Sequence, residues 1–143
     1  MWPSTRPRNG EASAQGLIDA HCHIDFPQFD DRREQLLAEC AANGIRRIVV
    51  PGTVPDGWRK ILELARTYSI LAPAAGLHPW WADGSRGDSL EQLDRLLTDN
   101  SDLVAVGECG LDRKQGPALT QQQSVFEAQI RLAGRHDRPL LIH

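Results

Sequence analysis

The sequence predicts an α/β chain built from parallel βα units. Three observations carry this: short apolar runs recur along the chain, helical patterns separate them, and potential metal ligands gather where the runs end. Runs that stay apolar without strict alternation are expected to be strands covered on both faces, as parallel strands are. A right-handed crossover helix then joins each strand to the next.

The elements follow in order. The run LIDA, residues 17–20, is the first strand. A helix comes next, in which Leu36, Leu37, Cys40 and Ala41 recur at helical spacing and Gly44 marks the end. IRRIVV, residues 45–50, is the second strand. Pro55 or Asp56 starts a second helix, with Trp58, Ile61, Leu62 and Ala65 on one face, leading into ILAPAAG, residues 70–76. Ser89 and Gln92 stand as a capping box ahead of Leu90, Leu93, Leu96 and Leu97, before the strand LVAVGE, residues 103–108. Thr120 and Gln123 repeat the box, Phe126, Ile130 and Ala133 form the apolar stripe, and PLLIH, residues 139–143, is the fifth strand. The doubly wound open sheet and the eight-stranded barrel both use such units, and both set their chemistry at the carboxyl ends of the strands. The pattern alone leaves that choice open.

Bulk properties bound the function. With 143 residues, 41% hydrophobic and 24% charged, the chain reads as one domain from residue 17 to 143. Residues 1–16, rich in Ser, Arg, Pro and Gly, are expected to be a disordered extension. A formal charge of -3 gives no global attraction to nucleic acid, so phosphate would be held locally; a nuclease is not excluded. Cys22, Cys40 and Cys109 form no CxxC pair, and free thiols in a reducing compartment are expected. No apolar stretch approaches membrane-spanning length and the first residues lack a secretory apolar core, so a cytoplasmic location without membrane association is the expectation.

The strand ends carry the chemistry. His21 and His23 close the first strand, His78 follows the third, Glu108 ends the fourth and His143 the fifth. At period two His21 and His23 share a face, so the pair is a ready clamp for one ion; on a helix the same spacing would set them about 200° apart. Imidazole and carboxylate suit divalent metals such as zinc, manganese and iron, with magnesium preferring oxygen. Glu108 has two oxygens and is able to bridge two ions roughly 3.5 to 4 Å apart, the arrangement used in phosphoester hydrolysis. Taken singly, a strand-end histidine is most often a surface or hydrogen-bonded residue. The joint occurrence in successive parallel units is what points to a metal site.

Named motifs sharpen the reading. DAHCHID, VPGT, GLHPW, VAVGECGLD and QQQSVFEAQIRLAGRHDRPLLIH occur in an order and spacing that resemble the TatD family of metal-dependent deoxyribonucleases, within the amidohydrolase-like TIM-barrel superfamily. The resemblance implies a partial (β/α)8 barrel with about five of eight units, a site for two divalent ions (Mg2+, Mn2+ or Zn2+), and hydrolysis of DNA, single-stranded or at 3' ends, in the 3'-to-5' sense. It implies His21, His23, Glu108 and His143 as metal ligands, Glu108 as the catalytic bridging acid, and His78 as a pocket histidine touching substrate phosphate. Arg113 stands where the family usually has Tyr, and either contacts phosphate or is a solvated loop residue. A full barrel takes about 250 residues. The ligands on strands six and eight that the resemblance implies are therefore not expected here, and the partial barrel is expected to be a poorly stable monomer, relieved by self-association or a complementing chain.

Other residues have two readings each. Asp19 either orients a ligand imidazole from behind or is a structural acid in the barrel floor. Trp80 and Trp81 either stack on bases or pack on the rim. Asp112 is expected to hold its loop through Asx-type bonds, Cys22 and Cys109 to pack as thiols on the helix side, and His136 to lie on the surface near a helix end. Three functions stand side by side: a TatD-like nuclease, a catalytically impaired fragment that binds metal or a partner, and a different hydrolase of the superfamily acting on amide or phosphotriester bonds. Many members of that last class use a carboxylated lysine where Glu108 stands, which counts against it.

Overall fold

A computed structural model describes residues 16–82 and 88–143. The expected disordered extension lies, apart from Gly16, outside the described residues. The strands are β1 (Leu17–Asp19), β2 (Ile45–Gly52), β3 (Leu71–Ala75), β4 (Ala105–Cys109) and β5 (Leu140–Ile142). The helices are α1 (Arg33–Ala42), α2 (Pro55–Thr67), α3 (Ser89–Asp99) and α4 (Leu119–Arg135). All neighbouring strands pair in parallel, in the order β1-β2-β3-β4-β5. That order decides the architecture. A doubly wound sheet reverses direction at a switch point, whereas here each strand adds beside the last, as around a barrel wall.

The helices form where the apolar spacing predicts them. Trp58, Ile61 and Leu62 are the buried face of α2, Leu93 and Leu97 that of α3, and Leu37 is buried in α1. Pro55 sits in the first turn of α2, where its missing N–H costs nothing. Gly44 ends α1 at φ 88°, a conformation open to glycine. Two apolar clusters fill the layer between sheet and helices. One joins Ile48 and Val50 to Leu37 and Ile61; the other joins Val106 and Leu103 to Trp58, Leu93, Leu97 and Leu132. Each such side chain contributes about 1.5 to 3 kcal/mol by leaving water.

Three expectations are corrected. Strands were expected to be covered on both faces, yet Ile18 in β1 and Ile142 in β5, the outer strands, are 66% and 60% exposed. Neither capping box forms: Ser89 is a buried first-turn residue of α3 behind Asp88, α4 starts at Leu119 behind Ala118, and neither helix has a side-chain cap. The buried side of α4 is Gln122, Gln129, Leu132 and Ala133, with Ile130 facing outward, so two glutamines occupy positions that the apolar pattern assigned to other residues.

Candidate metal centre

Each candidate ligand is placed by its own stretch of chain. His21, Cys22 and His23 lie just past β1, where the Cys22 N–H donates to Val49 C=O at 3.0 Å and continues the pairing with β2. His78 leads into a short 3-10 turn, Pro79–Trp81, and its Nδ1 accepts the Trp80 N–H at 3.2 Å. Glu108 is in β4, where glycines let three strands close up. A Cβ on Gly76 would lie 2.5 Å from the Gly107 Cα, and one on Gly107 would lie 2.3 Å from the Leu141 oxygen. His143 follows β5, with its N–H on Cys109 C=O at 2.8 Å.

These side chains converge on Glu108 in two groups. Its Oε2 lies 3.2 Å from His21 Nε2 and 3.3 Å from His23 Nε2, and those two nitrogens are 3.3 Å apart. Its Oε1 lies 2.7 Å from His143 Nδ1 and 3.6 Å from His78 Nε2. Within each group the donor atoms all fall within 4.8 Å of one another. β1 and β4 are not sheet neighbours, so the contact of His21 and His23 with Glu108 follows from the curl of the sheet. Phe26 stacks on the His23 ring with centroids 4.7 Å apart.

The electrostatics follow from crowding. Burial works to raise the Glu108 pKa, but the bond to His143 and the charges of His21, His78 and His143 outweigh it and hold the carboxyl below its ordinary value. Burial depresses the His78 imidazole. Asp25 does the reverse for His23: its carboxylate, set against burial, holds the ring above its usual value. Asp112 backs His143, with Oδ2 at 3.4 Å from Nε2. The same oxygen accepts the Trp80 indole N–H at 2.6 Å, and this bond, with backbone bonds from Lys114 and Gln115, lowers the Asp112 carboxyl to about 2.

A buried carboxylate whose oxygens each meet imidazole nitrogens is a donor set that suits divalent cations. Beside it lies a cavity of about 550 Å3 lined by Phe26, Val54, Trp80 and Trp81 together with His23, His78, Glu108 and His143. A second cavity of about 520 Å3, lined by Arg47, Leu71 and Val104 at the amino ends of the strands, holds none of the donors.

The family model described as TatD related DNase matches residues 18–143. The chain belongs to the TatD family. It is 40% identical over 129 residues to the metal-dependent hydrolase YjjV of Escherichia coli, covering 89% of this chain and 50% of that protein. It is 31% identical to the 3'-5' ssDNA/RNA exonuclease TatD of Cronobacter sakazakii, covering 89% of this chain and 48% of that protein. The crystal structure of YjjV superposes with a TM-score of 0.83 over 89% of this chain and 50% of that one. A TatD family hydrolase of Entamoeba histolytica, 22% identical, shares the fold with a TM-score of 0.80, over 91% of this chain and 50% of its own. The chain thus spans about half the length of the TatD relatives it matches.

Of the residues singled out for a TatD site, His21, His23, His78, Glu108 and His143 come together. Arg113 does not join them: it is exposed on the loop after β4 and is not among the cavity-lining residues. Asp19 accepts the His21 backbone N–H at 3.0 Å, a local turn rather than a bond to an imidazole. Asp112 makes the expected Asx-type bonds, to Lys114 N and Gln115 N, and in addition faces His143.

The pattern missed the residues that hold the loops. Gln129 pairs with Leu77 through both its amide groups, Leu77 N to Oε1 at 2.8 Å and Nε2 to Leu77 C=O at 3.0 Å, fixing the residue before His78. Gln122 accepts the Asp112 N–H at 2.7 Å and donates to Asp112, Gln115 and Pro117 carbonyls. Arg33 donates from α1 to Ile24 C=O at 2.8 Å and to Phe26 C=O at 3.3 Å, tying down the segment after His23. The available signal was a long polar residue at a position of the apolar stripe, as with Arg33 before Leu37 and Gln129 before Leu132.

Proposed function

We propose that this chain carries the metal-binding core of a TatD-type hydrolase that cleaves phosphodiester bonds of DNA, single-stranded or at 3' ends, in the 3'-to-5' direction. The observation that carries the reading is Glu108, whose two oxygens each face a different donor group. His21 and His23 with Oε2 would hold one divalent ion, and His143 with Oε1 a second, of the Mg2+, Mn2+ or Zn2+ type. Ions held there supply a water of lowered pKa and offset charge on the attacking and leaving oxygens.

His78 takes a different role. Its Nδ1 accepts the Trp80 N–H, so the neutral ring carries its proton on Nε2, turned toward the cluster. That ring is a hydrogen-bond donor, suited to a substrate phosphate oxygen. Arg113, on the loop beyond, would meet phosphate only farther along a strand. Phe26, Trp80 and Trp81 give the cavity apolar walls on which unpaired bases stack. The free thiols of Cys22, Cys40 and Cys109 support a reducing, cytoplasmic setting. The exposed apolar residues of the outer strands, Ile18 in β1 and Ile142 in β5, support self-association or a complementing chain. Among the described residues no helix is long and apolar enough to cross a membrane.

The test is end-labelled single-stranded DNA incubated with the purified chain and Mg2+ or Mn2+, with and without EDTA. Shortening from the 3' end that EDTA abolishes, and that Glu108→Gln lacks, is expected; intact label in every lane overturns catalysis by this chain. A second reading is ion or partner binding without turnover, for which the donor atoms gathered around Glu108 suffice. Metal binding without shortening would select it.

A further inference from the structure

We infer that Asp25 is a positioning residue for the metal centre, the carboxylate that takes the Nδ1 proton of His23 in a hydrogen bond when an ion sits on Nε2. The inference rests on the metal reading above and names a residue that reading does not use.

Two orphaned atoms carry it. Among the described residues, His23 Nδ1 and Asp25 Oδ1 are both buried without a hydrogen-bond partner, and they lie 3.8 Å apart. Buried polar groups are seldom left so, because each one unpaired costs about 1 to 3 kcal/mol. The two atoms are complementary once the protonation state is set. His23 Nε2 faces Glu108 Oε2 and His21, so that is the nitrogen a cation would take. A neutral imidazole that gives its Nε2 lone pair to a cation must carry its proton on Nδ1, and the nearest acceptor is Asp25 Oδ1. Closing the gap by about 0.8 Å brings the pair to an ordinary N–H···O distance. Phe26, stacked flat on the ring, leaves it free to slide in its own plane.

The site already contains one such arrangement. Asp112 stands behind His143, on the side away from Glu108. Asp25 would give His23 the same backing, so each donor group has one histidine braced by a carboxylate. Asp25 is held for this, because Arg33 donates to the backbone carbonyls of Ile24, Asp25 and Phe26. Asp19, the acid nearer β1, is occupied with the His21 backbone.

The experiment compares the wild-type chain with Asp25→Ala and Asp25→Asn. The readouts are the Zn2+ or Mn2+ dissociation constant from calorimetry or chelator competition, the melting temperature of the metal-free chain, and the His23 tautomer from long-range nitrogen–proton NMR of the Zn2+-loaded chain. Asp25→Ala is expected to weaken binding by roughly 10- to 100-fold while the metal-free melting temperature holds or rises. Asp25→Asn, which keeps an acceptor oxygen, is expected to lose less. The loaded wild type is expected to show the proton on Nδ1 of His23. Asp25→Ala binding within twofold of wild type, a metal-free melting temperature that falls in both variants, or a proton on Nε2 would each overturn the inference. A wild-type chain that binds no divalent ion overturns the metal reading, and this inference with it; one that binds, alongside an unaffected Asp25→Ala, overturns this inference alone.

Discussion

Glu108 is the residue on which the two donor groups depend, since among the described residues it is the one that contributes an oxygen to both. Glu108→Gln is expected to weaken divalent-ion binding by more than the roughly 10- to 100-fold that loss of an outer hydrogen-bond partner costs, because it removes the negative charge itself. Calorimetric titration with Mn2+ reads this, and an unchanged isotherm would rule out the bridging role. Cys109 gives a second check at the same scale. Its thiol is fully buried and pushed up to about 12, chiefly by burial, so it is inert near neutral pH. Iodoacetamide at pH 8 is expected to label the half-buried Cys40 ahead of Cys109, which reacts only after unfolding, read by peptide mass spectrometry.

At the scale of elements, α4 acts as a bracket for two loops at once, through Gln129 under His78 and Gln122 under Asp112. Gln129→Ala would leave Leu77 N and C=O without partners in a buried place and is expected to destabilise the chain by about 1 to 3 kcal/mol, measured by urea unfolding. The α3–α4 contact is electrostatic at its edge. Asp94 meets His136 Nε2 at 2.6 Å and Arg135 at 2.5 Å, and these bonds, His136 first, hold its carboxyl below the ordinary 3.8. A carboxyl lowered by folding adds stability that is full above its unfolded pKa and is lost as the pH falls through the folded one. Asp94→Asn should therefore cost up to about 1 kcal/mol at pH 7, and the difference should shrink below pH 4.

The alternation of strands and helices was legible because burial on one side of each helix leaves a 3.6-residue stripe, as at Trp58, Ile61 and Leu62. The meeting of His21, His23, Glu108 and His143 was legible because parallel strands present their ends on one side. The caps were not, since Ser89 has the spacing of a box but sits one residue inside the helix. Gln129 and Arg33 were hidden for another reason. The bonds by which they fix the loops go to backbone groups, 52 residues away in the case of Leu77, and no side-chain pattern records a bond to the main chain.

At the scale of the molecule, the two apolar clusters are packed, while Ile18 and Ile142 stay exposed in the outer strands β1 and β5, each of which has one edge unpaired among the described residues. Such edges and patches favour association. The sedimentation coefficient is expected to rise with concentration, and Ile142→Lys to reduce that rise; a single species at all concentrations would remove the case for self-association.

The curl of the sheet brings the residues that follow β1 and β5 to one carboxylate. A cation fastened there would act as a clasp between residues 21 and 143, joining segments whose encounter is otherwise left to chance in the unfolded coil. Such a clasp removes more disorder the longer the loop it shuts. Loading then adds to the stability of the chain already folded, and the amides of Cys22 and His143, at the two ends of the clasp, should slow their exchange with deuterium together when the ion arrives.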